Sequence, residues 1–327
     1  MNRCMNRRLS RFALAATLSL TAIAASAQDY PSKPVRLIIP FAAGSVAELI
    51  FRTLAPGVEA SLNQRFIVEP KPGADGNIGA GEAARAAPDG YTLVLAPTAT
   101  FAVAPHLFKD LTYDPINGFD HVSVLADTWP FATVGPNVPA KSMKELADYV
   151  RANPGKYNYG SQGSGSPTHL IGAAFSQITG NSMVHVPYKG TPPMVQALLA
   201  GDIQVTFASM TALLPQIKAG KLRPLAVMGR NRQAEFPDLP TTIESGFPQL
   251  VMSNWWVLAA PKGTPSAIVG RLSSEFRAAL SSPDARKKIS EFGHNPVGTT
   301  PAETSAFVRA ESARYKTIIE QGKITLN

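Results

Sequence analysis

The sequence predicts an α/β protein with largely parallel sheets. Short runs rich in Val, Ile and Leu alternate with stretches of helical period along most of the 327 residues. This alternation is typical of parallel strands that are covered by helices. Two capping boxes, Ser142 with Glu145 and Thr300 with Glu303, mark helix starts.

The predicted elements follow one another in regular order. Strands are expected at residues 35–39, 66–69, 91–96, 121–125, 131–134, 157–160, 183–186, 205–208, 225–228 and 255–259. Helices are expected at residues 48–63, 142–152, 168–179, 192–200, 212–219, 265–280 and 301–321. Because Pro56-Gly57 interrupts the first of these helices, a break or kink is predicted there.

Residues 1–27 have the three parts of a secretion signal. A basic stretch ends at Arg11, an uncharged run covers residues 13–25, and Ala25-Ser26-Ala27 has the small-x-small pattern of a cleavage site. The run is shorter than the roughly 20 apolar residues that a membrane span needs. We therefore expect secretion and cleavage after Ala27; a buried helix is the alternative interpretation.

Composition narrows the function classes. Cys4, the single cysteine, lies in the leader, so no disulfide, cysteine nucleophile or cysteine metal site is expected after cleavage. Four of the 31 basic residues also lie there, and without them the net charge of +8 falls to +4. Such a mild charge argues against nucleic acid as a partner. The remaining length allows two lobes of roughly 100–200 residues each.

Several loops between predicted strands and helices are rich in Gly, Ser and Thr. They cover residues 41–45, 72–79, 163–168 and 188–191. N–H groups at such helix starts bind anions, and ligands of open α/β sheets lie at the carboxyl ends of strands. A tight turn that needs a positive φ is the alternative for any one loop, but together the four favour a ligand cleft.

Signatures of catalysis are missing from the sequence. Ser164 has Gln162 and Ser166 at the positions where a nucleophile elbow requires glycine. The glycines of the 72–79 loop do not have dinucleotide-binding spacing, and there is no Walker loop or His-Glu-x-x-His motif. We therefore expect a protein that is not an enzyme and that holds no cofactor and no metal.

The histidines and paired tryptophans favour structural roles. His169 begins the helix after the 163–168 loop, where a hydrogen bond at the helix start is favoured over ligand contact. His185 alternates within a strand and is interpreted as structural. Trp255 and Trp256 must point to opposite faces of their strand, and core packing is favoured over a place in the cleft.

Taken in order, the loops and turns resemble a known family. The matching stretches are residues 30–44, 72–79, 87–93, 139–146, 185–190, 217–227, 236–241 and 258–265, including Pro40-Phe41-Ala42-Ala43-Gly44 and Pro187-Tyr188-Lys189-Gly190. In this order the stretches resemble the extracytoplasmic solute receptors of the tripartite tricarboxylate transporters.

The resemblance implies a two-lobe flytrap fold of the periplasmic-binding-protein kind. After the leader, residues 28–127 and 254–327 would form the first lobe and residues 128–253 the second. The lobes would close in the periplasm on a small carboxylate or dicarboxylate, aromatic ones included. The membrane permease subunits of a tripartite transporter would receive this ligand, and the receptor would be a monomer.

Carried over by position, the resemblance places ligand contacts on both lobes. In the first lobe they are Phe41, Ala42, Ala43, Gly44, Ser45, Val46, Asn77, Thr98, Ala99 and Thr100. In the second they are Gly163, Ser164, Gly165, Ser166, Thr168, His169, Tyr188, Lys189, Gly190, Thr191 and Ser209. Since Lys189 is the one cation in this set, backbone donors and hydroxyls are expected to hold the anion.

Two positions depart from the family pattern. Ser45-Val46-Ala47-Glu48 stands where the family has glycines followed by Thr-Asp, and Ala208 stands where aspartate is common. Ser45 and Glu48 are expected to form a capping box. Val46 and Ala208 predict a more apolar or aromatic carboxylate. Two other functions stay open: a secreted α/β hydrolase, and a binding protein that signals to a sensor kinase.

Overall fold

The computed structural model describes residues 30–180, 183–233 and 235–325. The predicted secretion signal lies outside the described residues. The strands are β1 (Val35–Ile39), β2 (Phe66–Pro70), β3 (Thr92–Pro97), β4 (Phe119–Thr128), β5 (Pro130–Val134), β6 (Asn158–Ser161), β7 (Val184–Pro187), β8 (Val205–Ser209), β9 (Arg223–Val227), β10 (Asn254–Pro261) and β11 (Asn295–Pro296).

The helices cover the faces of the sheets. They are α1 (Val46–Leu62), α2 (Asn77–Ala84), α3 (Ala104–Leu107), α4 (Met143–Ala152), α5 (Pro167–Thr179), α6 (Thr191–Ala200), α7 (Met210–Lys218), α8 (Ser266–Leu280), α9 (Pro283–Glu291) and α10 (Pro301–Gly322). A π-helical turn, Ala99–Val103, leads directly into α3. Helices α2, α3 and α9 and the short edge strand β11 were not predicted.

Each of two sheets forms the centre of one lobe. The first has the order β11-β4-β10-β3-β1-β2 and the second the order β7-β6-β8-β5-β9. The strands β2, β1 and β3 are parallel in the first, and β7, β6 and β8 are parallel in the second. Antiparallel β10 and β5 adjoin these parallel sets. The predicted two-lobe α/β fold is confirmed, and each sheet is mixed, with three parallel strands at one end and antiparallel strands at the other.

The chain passes between the sheets at two neighbouring places. Only Trp129 separates β4 from β5, and the return path leads into β10. Asn254 at the start of β10 is paired with Thr128 at the end of β4. The two crossings therefore lie side by side and form one narrow hinge.

Helix α1 shows how packing overrides a local signal. The predicted break at Pro56-Gly57 is wrong, because α1 continues from Val46 to Leu62 with Pro56 inside it. Pro56 removes one backbone donor. The apolar face of α1, with Phe51, Leu54 and Val58, stays buried along its length and holds the helix together.

The two tryptophans of β10 join separate parts of the core. Trp255 is buried on one face and stacks on Phe101, with ring centroids 6.4 Å apart. Trp256 packs on the other face against the edge of Phe41, at 5.8 Å. Both indoles therefore pack in the core, on opposite faces of β10, as predicted.

The C-terminal helix connects the two lobes. Helix α10 packs against β4 of the first lobe and against α5 of the second. The Gln177 side chain of α5 donates a hydrogen bond to the carbonyl of Ile318, at 3.0 Å. None of the helices in the described part of the chain is both long and apolar enough to cross a membrane.

Two helical glycines give a matched test of this packing. A Cβ at Gly172 of α5 would lie 2.2 Å from the Tyr159 ring, whereas a Cβ at Gly270 of α8 would meet nothing within 4 Å. Gly172→Ala should therefore lower the free energy of unfolding by about 1–3 kcal/mol through overpacking. Gly270→Ala should raise it by roughly 0.5–1 kcal/mol. Urea unfolding measures both, and equal effects would contradict the packing described for α5.

Candidate functional site

A cavity of about 140 Å³ lies between the two lobes. The first lobe lines it with Phe41, Asn77, Ala99, Val103, Leu107 and Phe108, and the second with Ser164, Gly165, Ser166 and Pro167. Phe41, Ala99 and Ser164 follow the carboxyl ends of β1, β3 and β6. These edges are where open α/β sheets bind ligands.

The cavity brings together six of the residues expected to bind ligand. They are Phe41, Asn77, Ala99, Ser164, Gly165 and Ser166. Thr98 and Thr100 are fully buried beside Ala99. The Thr98 hydroxyl accepts a hydrogen bond from the backbone N–H of Trp255 at 2.9 Å. This hydrogen bond connects the end of β3 to β10.

The other expected contacts are not among the residues that line the cavity. Ala42, Ala43 and Gly44 are exposed, and Ser45 and Val46 are half-buried at the start of α1. Gly163, Thr168 and His169 build the loop and first turn of α5. Lys189 is exposed, and Tyr188 and Gly190 are half-buried on the loop after β7. Thr191 at the start of α6 and Ser209 at the end of β8 are also half-buried.

Asn77 lines this cavity and has a hydrogen-bond donor without a partner among the described residues. Its side chain is 9% exposed, and its Oδ1 accepts a hydrogen bond from the Tyr113 hydroxyl at 2.7 Å. Its Nδ2 is buried and has no partner among the described residues. Burial raises the pKa of Tyr113, so its hydroxyl keeps the proton that it donates. This hydrogen bond fixes the orientation of the amide and leaves its N–H groups without a partner in the described part of the chain.

The second lobe contributes a loop with a fixed conformation. Gly163 and Gly165 have φ values of 136° and 78°, which non-glycine residues rarely adopt. The Ser166 hydroxyl donates to the Gly163 carbonyl at 2.6 Å and accepts from the His169 N–H at 3.4 Å. Ser166 thus caps α5, whose N-terminal dipole favours an anion beside the loop.

Two stacked histidines are hydrogen-bonded to this loop and to the end of β6. The rings of His169 and His185 are 3.7 Å apart and nearly parallel, with 5° between their planes. His169 Nδ1 accepts from the Gly165 N–H at 3.0 Å, which is the predicted kind of contact at a helix start. His185 Nε2 lies 2.6 Å from the Ser161 hydroxyl. Burial lowers the pKa of each imidazole to about 4, and His185 adds to this effect on His169.

The start of α1 differs from the prediction. The capping box is wrong, because the Ser45 hydroxyl is buried without a partner among the described residues. The Glu48 carboxylate accepts instead from the Gly44 N–H at 2.8 Å and pairs with Arg52 at 2.6 Å. These contacts, the Gly44 hydrogen bond first, lower the pKa of Glu48. The left-handed turn at Gly44 brings its N–H within reach of that carboxylate.

The residues that depart from the family pattern do not line the cavity. Val46 packs against the core of the first lobe, and Ala208 is fully buried in the second. The apolar wall is formed by Val103, Leu107, Phe108 and Pro167, which the sequence analysis did not select. A signal was available, since Ala99, Val103 and Leu107 are spaced by four residues. A core-facing helix has the same spacing, so the pattern alone does not identify a cavity.

A larger cavity of about 340 Å³ lies beside the hinge. Its lining includes Trp129, Arg232, Glu235 and His294. Arg232 is already paired with Glu244 at 3.0 Å. Neither this cavity nor any other part of the described chain has three or more His, Cys, Asp or Glu side chains placed to hold a metal ion.

The chain belongs to the family described as tripartite tricarboxylate transporter family receptor, which matches residues 50–324. Receptors of this family are periplasmic solute-binding proteins. The chain is 33% identical to the protein BugT of Bordetella pertussis over 297 residues, which are 90% of this chain and 91% of that one.

Two solved structures are similar along nearly the whole chain. Rpa4515 of R. palustris with adipate has 32% identity and a TM-score of 0.75, over 91% of this chain and 99% of that one. MatC of Rhodopseudomonas palustris with bound malate has 28% identity and a TM-score of 0.71, over 89% of this chain and 100% of that one. The predicted family is confirmed.

The stacked histidines predict a loss of stability in acid. An unfolded chain protonates histidine near pH 6.5, whereas the folded protein keeps both imidazoles neutral down to about pH 4. The unfolded state therefore binds more protons in this window, and stability falls as pH drops from about 6.5 to about 4. When the pH is lowered from about 7 to about 4.5, the free energy of unfolding should fall by less in His185→Gln than in the unmutated protein. Urea unfolding at both pH values measures this, and an equal loss would count against the pair.

Proposed function

We propose that the protein captures a small carboxylate in the cavity between its lobes and delivers it to the permease subunits of a tripartite tricarboxylate-type transporter. One observation carries this proposal. Asn77, whose buried Nδ2 has no partner among the described residues, lines the same cavity as the Gly/Ser loop that begins α5. Such donors at a helix start suit a carboxylate.

Neutral groups would hold the anion. The described residues that line the cavity include no Lys, Arg, Asp or Glu. Each neutral hydrogen bond contributes about 0.5–1.5 kcal/mol net, so a few donors and the α5 dipole would together hold a carboxylate. Lys189 is exposed, and its ammonium would act only at a distance.

The relatives support a carboxylate ligand and a transport role. The structures with adipate and with malate match this chain over about nine tenths of its length. Membership of the receptor family supports a tripartite transporter as partner. We infer in addition a periplasmic, monomeric protein without a nucleic-acid partner, with the lobes divided at residues 127/128 and 253/254.

The cavity is poorly suited to hydrolysis. The hydroxyl of Ser166 is engaged in capping α5, and His169 Nδ1 accepts from a backbone N–H. Neither residue is arranged as a nucleophile with a free base. We therefore infer that the protein is not an enzyme, and a panel of esters and amides tests the hydrolase alternative. Transfer of the ligand to a sensor kinase would be detected by its effect on kinase activity.

A thermal-shift screen tests the proposed ligand class. A ligand at about 100 times its dissociation constant that binds only the folded protein adds about 2.7 kcal/mol. The melting temperature should then rise by roughly 4–5 °C, because an unfolding entropy of about 2.1 cal/mol/K per residue gives about 1.6 °C per kcal/mol for about 300 residues. The panel contains aliphatic and aromatic mono- and dicarboxylates, and the protein is first refolded from denaturant to remove any ligand that copurifies. If no acid shifts the transition, the carboxylate proposal fails.

Two substitutions test how the anion is held. Lys189→Ala should weaken binding of the best acid in the panel by less than about tenfold, because that side chain lies outside the cavity lining. Asn77→Asp should weaken it by more than about a hundredfold at pH 7, since a carboxylate then replaces the donor. Calorimetry measures both. A hundredfold loss with Lys189→Ala, or an unchanged affinity with Asn77→Asp, would contradict recognition by neutral donors.

A further inference from the structure

We infer that the ligand is a monocarboxylate whose far end is uncharged and apolar, a short aliphatic chain or a single ring. This inference rests on the proposed function and names the ligand class of the same cavity. It depends on how polar and apolar side chains are distributed between the two lobes.

One helical face forms most of the apolar wall. Ala99 and Val103 lie in the π-helical turn and Leu107 ends α3, four residues apart along a continuous helical stretch. All three line the cavity, and Val103 is only 2% exposed. Side chains with this spacing lie above one another on the same face. The first lobe therefore presents a strip of methyl groups to the ligand.

Aromatic rings extend this strip. Phe41 lines the cavity and packs against Trp256 in an edge-to-face contact, with planes at 80°. Trp256 is itself buried in β10, so Phe41 has a rigid support. Phe108, the residue after α3, completes the wall. A ring or alkyl chain placed here would exchange water for apolar contacts, which favours binding.

Among the described residues of the lining, the hydrogen-bonding side chains are those of Asn77 and of the two serines in the loop at Ser164–Ser166. The other described residues of the lining are Phe, Ala, Val, Leu and Pro. These donors suffice for one carboxylate. A second carboxylate on the same ligand would lie against the wall of Val103, Leu107 and Phe108. There it would lose its water without gaining a partner, which disfavours a dianion.

The volume restricts the ligand further. At about 140 Å³ the cavity is smaller than the roughly 300–1,000 Å³ of sites for drug-sized ligands. The cavity therefore suits one carboxylate with a short apolar body. It does not suit a long or branched polar molecule.

Hexanoate and adipate form a matched pair of probes. They share six carbons and differ only in the second carboxylate. We expect calorimetry at pH 7 to show that the protein binds hexanoate at least about tenfold more tightly than adipate. Benzoate should likewise bind more tightly than phthalate. Tighter binding of adipate than of hexanoate would overturn the inference.

A cation added to the wall should reverse the preference. Leu107 is half-buried at the end of α3, where an arginine can reach the cavity or its edge. We expect Leu107→Arg to raise the ratio of adipate to hexanoate affinity by at least about tenfold. Asp110→Arg is the control, because Asp110 is exposed and does not line the cavity. In Asp110→Arg the ratio of adipate to hexanoate affinity should change by less than about threefold. An equal change of this ratio in both variants would overturn the inference.

Failure of the inference and failure of the proposed function give different results. If adipate, malate or phthalate binds and the monocarboxylates do not, the protein is a carboxylate receptor and the inference alone is wrong. If no mono- or dicarboxylate binds, the proposed function fails together with the inference. Urea unfolding of Leu107→Arg shows whether that variant is folded, and the comparison of hexanoate with adipate in the unmutated protein decides the matter without it.

Discussion

The fold depends on two chain crossings that lie side by side. Thr128 at the end of β4 pairs with Asn254 at the start of β10, so both connections pass through one hinge. The next residue, Trp255, donates its backbone N–H to the hydroxyl of Thr98, and Thr98 directly precedes Ala99, which lines the cavity. The hinge is thereby hydrogen-bonded to the edge of the ligand site. This arrangement lets the carboxyl ends of both parallel strand sets face one cavity.

Much of this architecture could be predicted from local sequence. The β-branched runs predicted most of the strands because parallel strands buried on both faces are nearly continuously apolar. Loops rich in Gly and Ser predicted the segments that meet at the cavity, including Phe41 and Ser164–Ser166. Local signals failed where packing decided the outcome. Pro56 remains inside α1 because the buried face of that helix outweighs one lost hydrogen bond.

The remaining features of the site depend on contacts between distant residues. The Asn77 amide is fixed by Tyr113, far along the chain, whose hydroxyl donates to its Oδ1. His169 and His185 stack because α5 packs against β7. Val103 and Leu107 could belong equally well to a core or to a cavity until the second lobe is placed against them. Sequence spacing does not decide between these alternatives, because it does not show which distant residues come into contact.

We propose that neutral donors hold a carboxylate between the lobes, with its apolar body on the first lobe. A crystal structure of the protein with bound hexanoate would show both parts of this arrangement. We expect the carboxylate within hydrogen-bonding distance of Asn77 Nδ2 and the Ser164–Ser166 loop, and the alkyl chain against Val103 and Leu107. A carboxylate paired with a lysine or arginine, or a ligand in the cavity beside Trp129 and His294, would contradict it.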